Sequence, residues 1–146
     1  MNKLTWTIVI IGVMLFSGCS RSTPDQPLEV SAAWARPANA GQNSAAYFTI
    51  SNPNSSAVRL LSASSSAASA VELHMSMLDN RGVMSMHPQE AVEIPAVGVV
   101  DFKPGGLHVM LIDLQQDLNP GDSLSLTLEF EGGEPISLDV PVKEQP

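Results

Sequence analysis

Four residues of this chain have the types and the spacing of a soft-metal site: His74, Met86, His108 and Met110. Met75 follows His74 directly, ten residues separate Met75 from Met86, twenty-one separate Met86 from His108, and one separates His108 from Met110. All three histidines, and every methionine beyond residue 18, lie between His74 and Met110. Thioether sulfur is a soft donor suited to Cu(I), and imidazole also accepts copper. A mixed His/Met set with no thiolate and no concentration of carboxylates therefore points to monovalent copper. A structural zinc site would bring cysteine or more histidine.

A single methionine is ordinarily a filler of irregular core gaps, so the strand pattern has to place these residues together. In Leu107-His108-Val109-Met110-Leu111-Ile112 the aliphatic Leu107, Val109 and Leu111 should face the core, which puts His108 and Met110 side by side on the opposite face. By the same alternation Val71 and Leu73 turn inward and His74 outward. A three-residue loop Asn80-Arg81-Gly82, with Gly82 left-handed, pairs Asp79 with Val83 and makes His74 and Met86 diagonal neighbours on one face, about 7 to 8 Å apart. A loop one residue longer would separate them to opposite faces. Met75, Met77 and Met84 are expected to form a supporting apolar rim with possible accessory contact to the metal, and His87, beside Pro88 and of opposite parity, to be a surface residue. Because the four candidate ligands are assigned to an outward face, replacing any of them is expected to leave the fold standing.

The elements that must position this set read as strands. From Leu28 onward, short alternating or β-branched runs are separated by clusters of Gly, Pro, Asn and Asp, and no segment sustains a helical period over a dozen residues. Strands are expected at 28–36, 45–51, 58–63, 71–78, 83–87, 91–94, 99–102, 107–114, 123–130 and 136–142. This number at this spacing makes an all-β sandwich. Ser51-Asn52-Pro53-Asn54, Asp79-Asn80-Arg81-Gly82, Lys103-Pro104-Gly105-Gly106 and Asn119-Pro120-Gly121-Asp122 carry the turn chemistry between them. The Ser/Ala-rich stretch 62–70 has room for one helical turn. No internal repeat is present.

The N-terminal end describes where the domain goes. Met1-Asn2-Lys3 is a short basic start, Leu4 to Phe16 is almost unbroken in apolar character, and Ser17-Gly18 are small residues ahead of the only cysteine, Cys19. This pattern is that of a secretory signal, and it is shorter than the roughly 20 apolar residues a spanning helix needs. Leu15-Phe16-Ser17-Gly18-Cys19 further resembles the bacterial lipoprotein cleavage box, which implies a lipid on Cys19. Phe16 stands where that pattern has a smaller aliphatic residue, and ordinary signal cleavage is the alternative. Residues 1–18 are thus expected to be a lipoprotein-type signal peptide, 19–27 a polar tether, and 28–146 a single domain. Ser20 after the cysteine, rather than Asp, fits outer-membrane sorting on the periplasmic side. Of the charged residues, loss of 1–18 removes only Lys3, leaving six basic against fifteen acidic side chains and a balance of −9. That opposes binding to nucleic acid. With one cysteine there is no disulfide pair, and the domain must hold by packing alone.

The spacing of His74-Met75, Met86, His108 and Met110 resembles, without insertion or deletion, the motif of the periplasmic copper chaperone family PCuAC. Similarity extends over Ala33-Trp34-Ala35-Arg36-Pro37, Ala45-Ala46-Tyr47-Phe48, Val71-Glu72-Leu73-His74, Val92-Glu93-Ile94-Pro95 and Phe102-Lys103-Pro104-Gly105-Gly106-Leu107-His108. The resemblance implies a cupredoxin-like Greek-key β-sandwich that holds one Cu(I) near its surface. It also implies delivery of that copper toward the copper centre of cytochrome oxidase, with the oxidase copper domain or a thiol-bearing assembly factor as partner. The chain ends without the His/Met-rich tail some relatives carry. Three other classes are weighed against this reading. A blue-copper electron carrier needs a Cys thiolate beside its histidines, and Cys19 lies far along the chain from the quartet. An enzyme would show a nucleophile, phosphate-binding or paired-carboxylate motif, and none stands out. An envelope copper buffer or resistance protein without a dedicated recipient would carry the same site, and sequence does not separate it from a chaperone.

Overall fold

The computed structural model describes residues 26–145. Ten strands run through them: β1 (Glu29–Ala35), β2 (Ser44–Asn52), β3 (Val58–Ser64), β4 (Ala68–Leu78), β5 (Met84–Pro88), β6 (Val92–Ile94), β7 (Gly98–Phe102), β8 (Leu107–Leu114), β9 (Ser123–Phe130) and β10 (Ile136–Pro141). Each expected segment is a strand, with bounds that move by at most three residues. The strands build a sandwich of a six-stranded sheet, ordered β1-β2-β7-β8-β4-β5, and a four-stranded sheet, ordered β10-β9-β3-β6. The chain passes repeatedly from one sheet to the other, as the expected cupredoxin-like sandwich requires.

The stretch 62–70 corrects one expectation. It forms no helical turn: β3 runs to Ser64, a tight turn follows, and β4 begins at Ala68. Ala67 and Ala68 are buried in the core, so the small side chains let the chain cross closely from the four-stranded to the six-stranded sheet rather than coil.

Alternation does the rest of the packing. The inner faces contribute Ala46, Phe48 and Ile50 from β2, Leu73 from β4, Val109 and Leu111 from β8, Leu126 and Leu128 from β9 and Val140 from β10 to one buried cluster. Phe48 and Phe102 stack at its centre with ring centroids 4.5 Å apart. A second, smaller cluster of Trp34, Ala45 and Tyr47 lies apart from this core, on the outer face of the six-stranded sheet. Trp34 reaches it through a bulge: β1 pairs with β2 as Ser31↔Thr49 and then as Trp34↔Tyr47, one residue out of step. The extra residue is accommodated with Ala32 at φ 53°, and it flips Trp34 from the core side to the outer side. The Trp34 and Tyr47 rings then pack with centroids 4.6 Å apart.

Candidate metal centre

The hairpin that carries Met86 has the expected register. Gly82 sits at φ 80°, a conformation glycine adopts without penalty. The Asp79 N–H donates to Val83 O at 2.9 Å and the Gly82 N–H to Asp79 O at 3.0 Å. The pairs that follow are Leu78↔Met84, Ser76↔Met86 and His74↔Pro88, so Met86 is the diagonal neighbour of His74 on the same face. The Asp79 carboxylate secures the loop by accepting the backbone N–H groups of Val83 (2.9 Å) and Arg81 (2.8 Å), and it also receives the Arg81 guanidinium. These bonds, the Val83 N–H foremost, hold its carboxyl below the ordinary carboxylate range. A depressed acid stabilises the fold above its unfolded pKa, and that contribution is lost as pH falls through the folded value. Acid should therefore loosen this loop before the rest of the sheet. Amide exchange of Arg81 and Val83 should accelerate relative to core amides on titration from about pH 5 to about pH 2, and the selectivity should vanish in Asp79→Ala.

On the other side of β4 the pairing with β8 is regular, with Glu72↔Met110, Leu73↔Val109 and His74↔His108 directly opposite. Met110 is also opposite Ala45 of β2. The outer face of the six-stranded sheet therefore carries three successive rows: Ala45, Met110 and Glu72; then His108, His74 and Pro88; then Ser76 and Met86. The two histidines are centred, with ring centroids 5.8 Å apart, and one methionine stands on each flank. At metal–nitrogen distances of about 2 Å this separation lets one ion lie between two imidazoles. Met84, Met86, His108 and Met110, together with Tyr47 and Ser76, line an open depression of about 510 Å³.

Face and exposure are different properties here. The histidines are on the outer face as expected, yet they are covered: His74 is 9% exposed and His108 4%. Tyr47 packs toward His108 at 6.5 Å between centroids, and Trp34 packs on the Tyr47 ring. The outward face is as expected, but an outward face does not spare the fold from every replacement, because the covered His108 has packing to lose. Met86, by contrast, is 54% exposed on the edge strand β5. The accessory rim is corrected too. Met84 lies on the face of the quartet, but Met75 and Met77 have the opposite parity and point to the other side of the sheet. His87 is exposed, opposite Met75, with Ser85 Oγ at 3.0 Å from its Nε2. Cys19 lies outside the described residues.

Hydrogen bonds define which nitrogens are free. His108 Nδ1 lies 3.1 Å from Gly106 O. A carbonyl only accepts, so Nδ1 carries the proton and Nε2 keeps its lone pair. The same carbonyl accepts the Ser76 N–H at 3.0 Å, tying the turn before β8 to β4 beneath the site. Gly105 at φ 79° shapes that turn. His74 Nε2 lies 2.7 Å from Glu72 Oε2, and its Nδ1 is buried without a hydrogen-bond partner among the described residues. An orphaned buried ring nitrogen is costly and requires an explanation; a lone-pair donor to a metal supplies one. Sequence reasoning passed over Glu72, although its i, i+2 relation to His74 on a strand places both on one face. Among the described residues no three His, Cys, Asp or Glu side chains converge on a common point.

A β-sandwich whose outer sheet face gathers two covered imidazoles between two thioethers is the class of protein this chain represents. The family model described as "Putative lipoprotein LpqE-like" matches residues 28–142, and the chain belongs to that family. "Putative lipoprotein Lxx21020" of Leifsonia xyli subsp. xyli is 32% identical over 153 aligned positions, spanning 99% of this chain and 90% of that one. The copper-bound PCuAC domain from PmoF2 has the same fold, with a TM-score of 0.68 at 22% identity over 84% of this chain and 97% of that one. The solution structure of CuI-DR1885 from Deinococcus radiodurans aligns with a TM-score of 0.60 at 26% identity, over 84% of this chain and 83% of that one. The sandwich implied by the motif is therefore the PCuAC-domain fold.

Proposed function

We propose that this protein is a Cu(I) metallochaperone of the bacterial cell envelope, holding one ion with His74, Met86, His108 and Met110. The observation that carries the reading is the His74 Nδ1, buried and without a partner among the described residues, in a residue directly opposite His108 with a thioether on each flank. The likeness to copper-bound PCuAC and CuI-DR1885 structures supports copper as the cargo. Neutral thioether and imidazole donors suit Cu(I) and give up little charge when they let it go. The uneven exposure gives a direction to release. Met86 is accessible on an edge strand, so a partner's thiolate or imidazole can donate to the ion as the Met86 sulfur leaves, while the covered histidines hold on until last. No electron changes hands in such an exchange. This accessibility favours transfer over storage, and therefore a chaperone over a buffer. The acceptor class is a soft-ligand copper site such as the oxidase copper domain or a thiol-bearing assembly factor. Mixing the Cu(I)-loaded protein with such an apo acceptor and following the metal tests this: copper should move to the acceptor, and retention against a tighter-binding acceptor would favour the buffer.

With Met75 and Met77 on the other side of the sheet, the stoichiometry should be one Cu(I) per chain. Metal analysis after dialysis reads it, and two retained equivalents would mean that a second thioether site exists. The lipoprotein descriptions of the family and of the L. xyli relative support a lipid on Cys19, with Ser20 directing the protein to the outer membrane and its domain to the periplasmic side. Mass spectrometry of the mature N-terminus should find acylated Cys19, and an unmodified terminus at another residue would refute the anchor.

A further inference from the structure

We propose that Glu72 is the positioning residue of the copper site, and that it makes the two histidines bind through different nitrogens: His74 through Nδ1 and His108 through Nε2. The inference rests on the Cu(I) reading above and adds which atoms donate and what aims them. A carboxylate only accepts, so the 2.7 Å contact between Glu72 Oε2 and His74 Nε2 places the ring proton on Nε2. The lone pair of the neutral ring is then on Nδ1, the atom that is buried and unpartnered among the described residues. At His108 the assignment is reversed, because Gly106 O takes the Nδ1 proton. Two identical side chains opposite each other in the register are thus fixed as different tautomers by different acceptors. A histidine that donates its second ring N–H to a carboxylate is held in orientation and made a better ligand.

Glu72 does more than fix a tautomer. Its register partner is Met110, so its carboxylate stands in the row next to the histidines, with a side chain 48% exposed. Cu(I) bound to four neutral donors leaves one positive charge, and this carboxylate neutralises it without entering the ligand set.

The test uses the apo protein and its copper complex in parallel. Long-range proton–nitrogen correlation spectra of the 15N-labelled apo protein should show His74 as the Nε2–H tautomer and His108 as the Nδ1–H tautomer. Glu72→Ala should leave His108 unchanged and turn His74 into a tautomer mixture. It should also weaken Cu(I) binding roughly ten- to a hundred-fold, the usual effect of losing such a partner. Glu72→Gln keeps an acceptor oxygen and should restore the His74 tautomer and part of the affinity while lacking the charge. An Nδ1–H tautomer at His74 in the unaltered protein, or unchanged affinity in Glu72→Ala, would overturn the proposal. Failure of the unaltered protein to bind Cu(I) would instead overturn the copper reading, and the apo spectra would still report whether Glu72 orients the ring.

Discussion

His108→Ala should abolish the proposed Cu(I) binding and lower stability, and the two losses should separate from those of His74→Ala. Removing a residue behind a metal ligand already weakens binding roughly ten- to a hundred-fold, so removing either imidazole should exceed the upper end of that range. The apo proteins should differ. His108 is 4% exposed, packs toward Tyr47 and donates to Gly106 O. Its truncation therefore opens a space and breaks a bond, at about 1–2 kcal/mol. His74→Ala also opens a space and breaks the contact with Glu72, but it removes the buried Nδ1 that has no partner among the described residues, and the penalty of about 1–3 kcal/mol relieved there offsets those losses. Urea melts of the metal-free proteins should show His74→Ala closer to the unaltered chain than His108→Ala. The reverse order would mean that His74 Nδ1 is satisfied in solution.

Phe48→Ala should be among the most damaging single truncations in the core, at about 3–5 kcal/mol, a large share of the roughly 5–15 kcal/mol that holds a domain together. Phe48 is 1% exposed, stacks on Phe102 and occupies the middle of β2. That strand pairs with β7 through its second half and β8 through its first. Without a disulfide, nothing covalent offsets the loss. Because Ala45 of β2 stands opposite Met110, the damage reaches the outer face as well. The midpoint of urea unfolding should fall sharply, and Cu(I) should restore part of it, since a ligand that binds only the folded state stabilises it by mass action. A midpoint close to that of the unaltered protein would show that the core repacks around the gap.

Much of this architecture is legible in the residues. The turn formers around each strand and the left-handed demand on Gly82 determine the hairpin register, and the register determines that Met86 is diagonal to His74. The aliphatic alternation of Val109 and Leu111 likewise leaves His108 and Met110 only one face. Three features are not read so easily. The bulge at Ala32 carries no glycine to announce it, yet it decides that Trp34 lies on the outer face beside Tyr47. Tyr47, which packs toward His108, and the displaced Trp34 that packs on Tyr47 are distant from the histidines in sequence. The significance of the Glu72 carboxylate, two residues from His74, depends on the unpartnered Nδ1, which only the folded arrangement reveals. The parity of Met75 and Met77 is a different case, because it is present in the sequence: the argument that turns Val71 and Leu73 inward turns them away from the quartet too.

Protons compete with copper for imidazole nitrogen and not for thioether sulfur, so the ligand set has a signature in how affinity varies with pH. Competition titrations against a Cu(I) chelator, from about pH 5 to about pH 8, should be made on the unaltered protein and on Met86→Ala and Met110→Ala. Both variants should bind Cu(I) more weakly at every pH while keeping the unaltered protein's slope, because their histidines remain. His74→Ala and His108→Ala should flatten the slope as well as lower the affinity. Unchanged affinity in both methionine variants would remove the thioethers from the metal and contradict the proposed copper site.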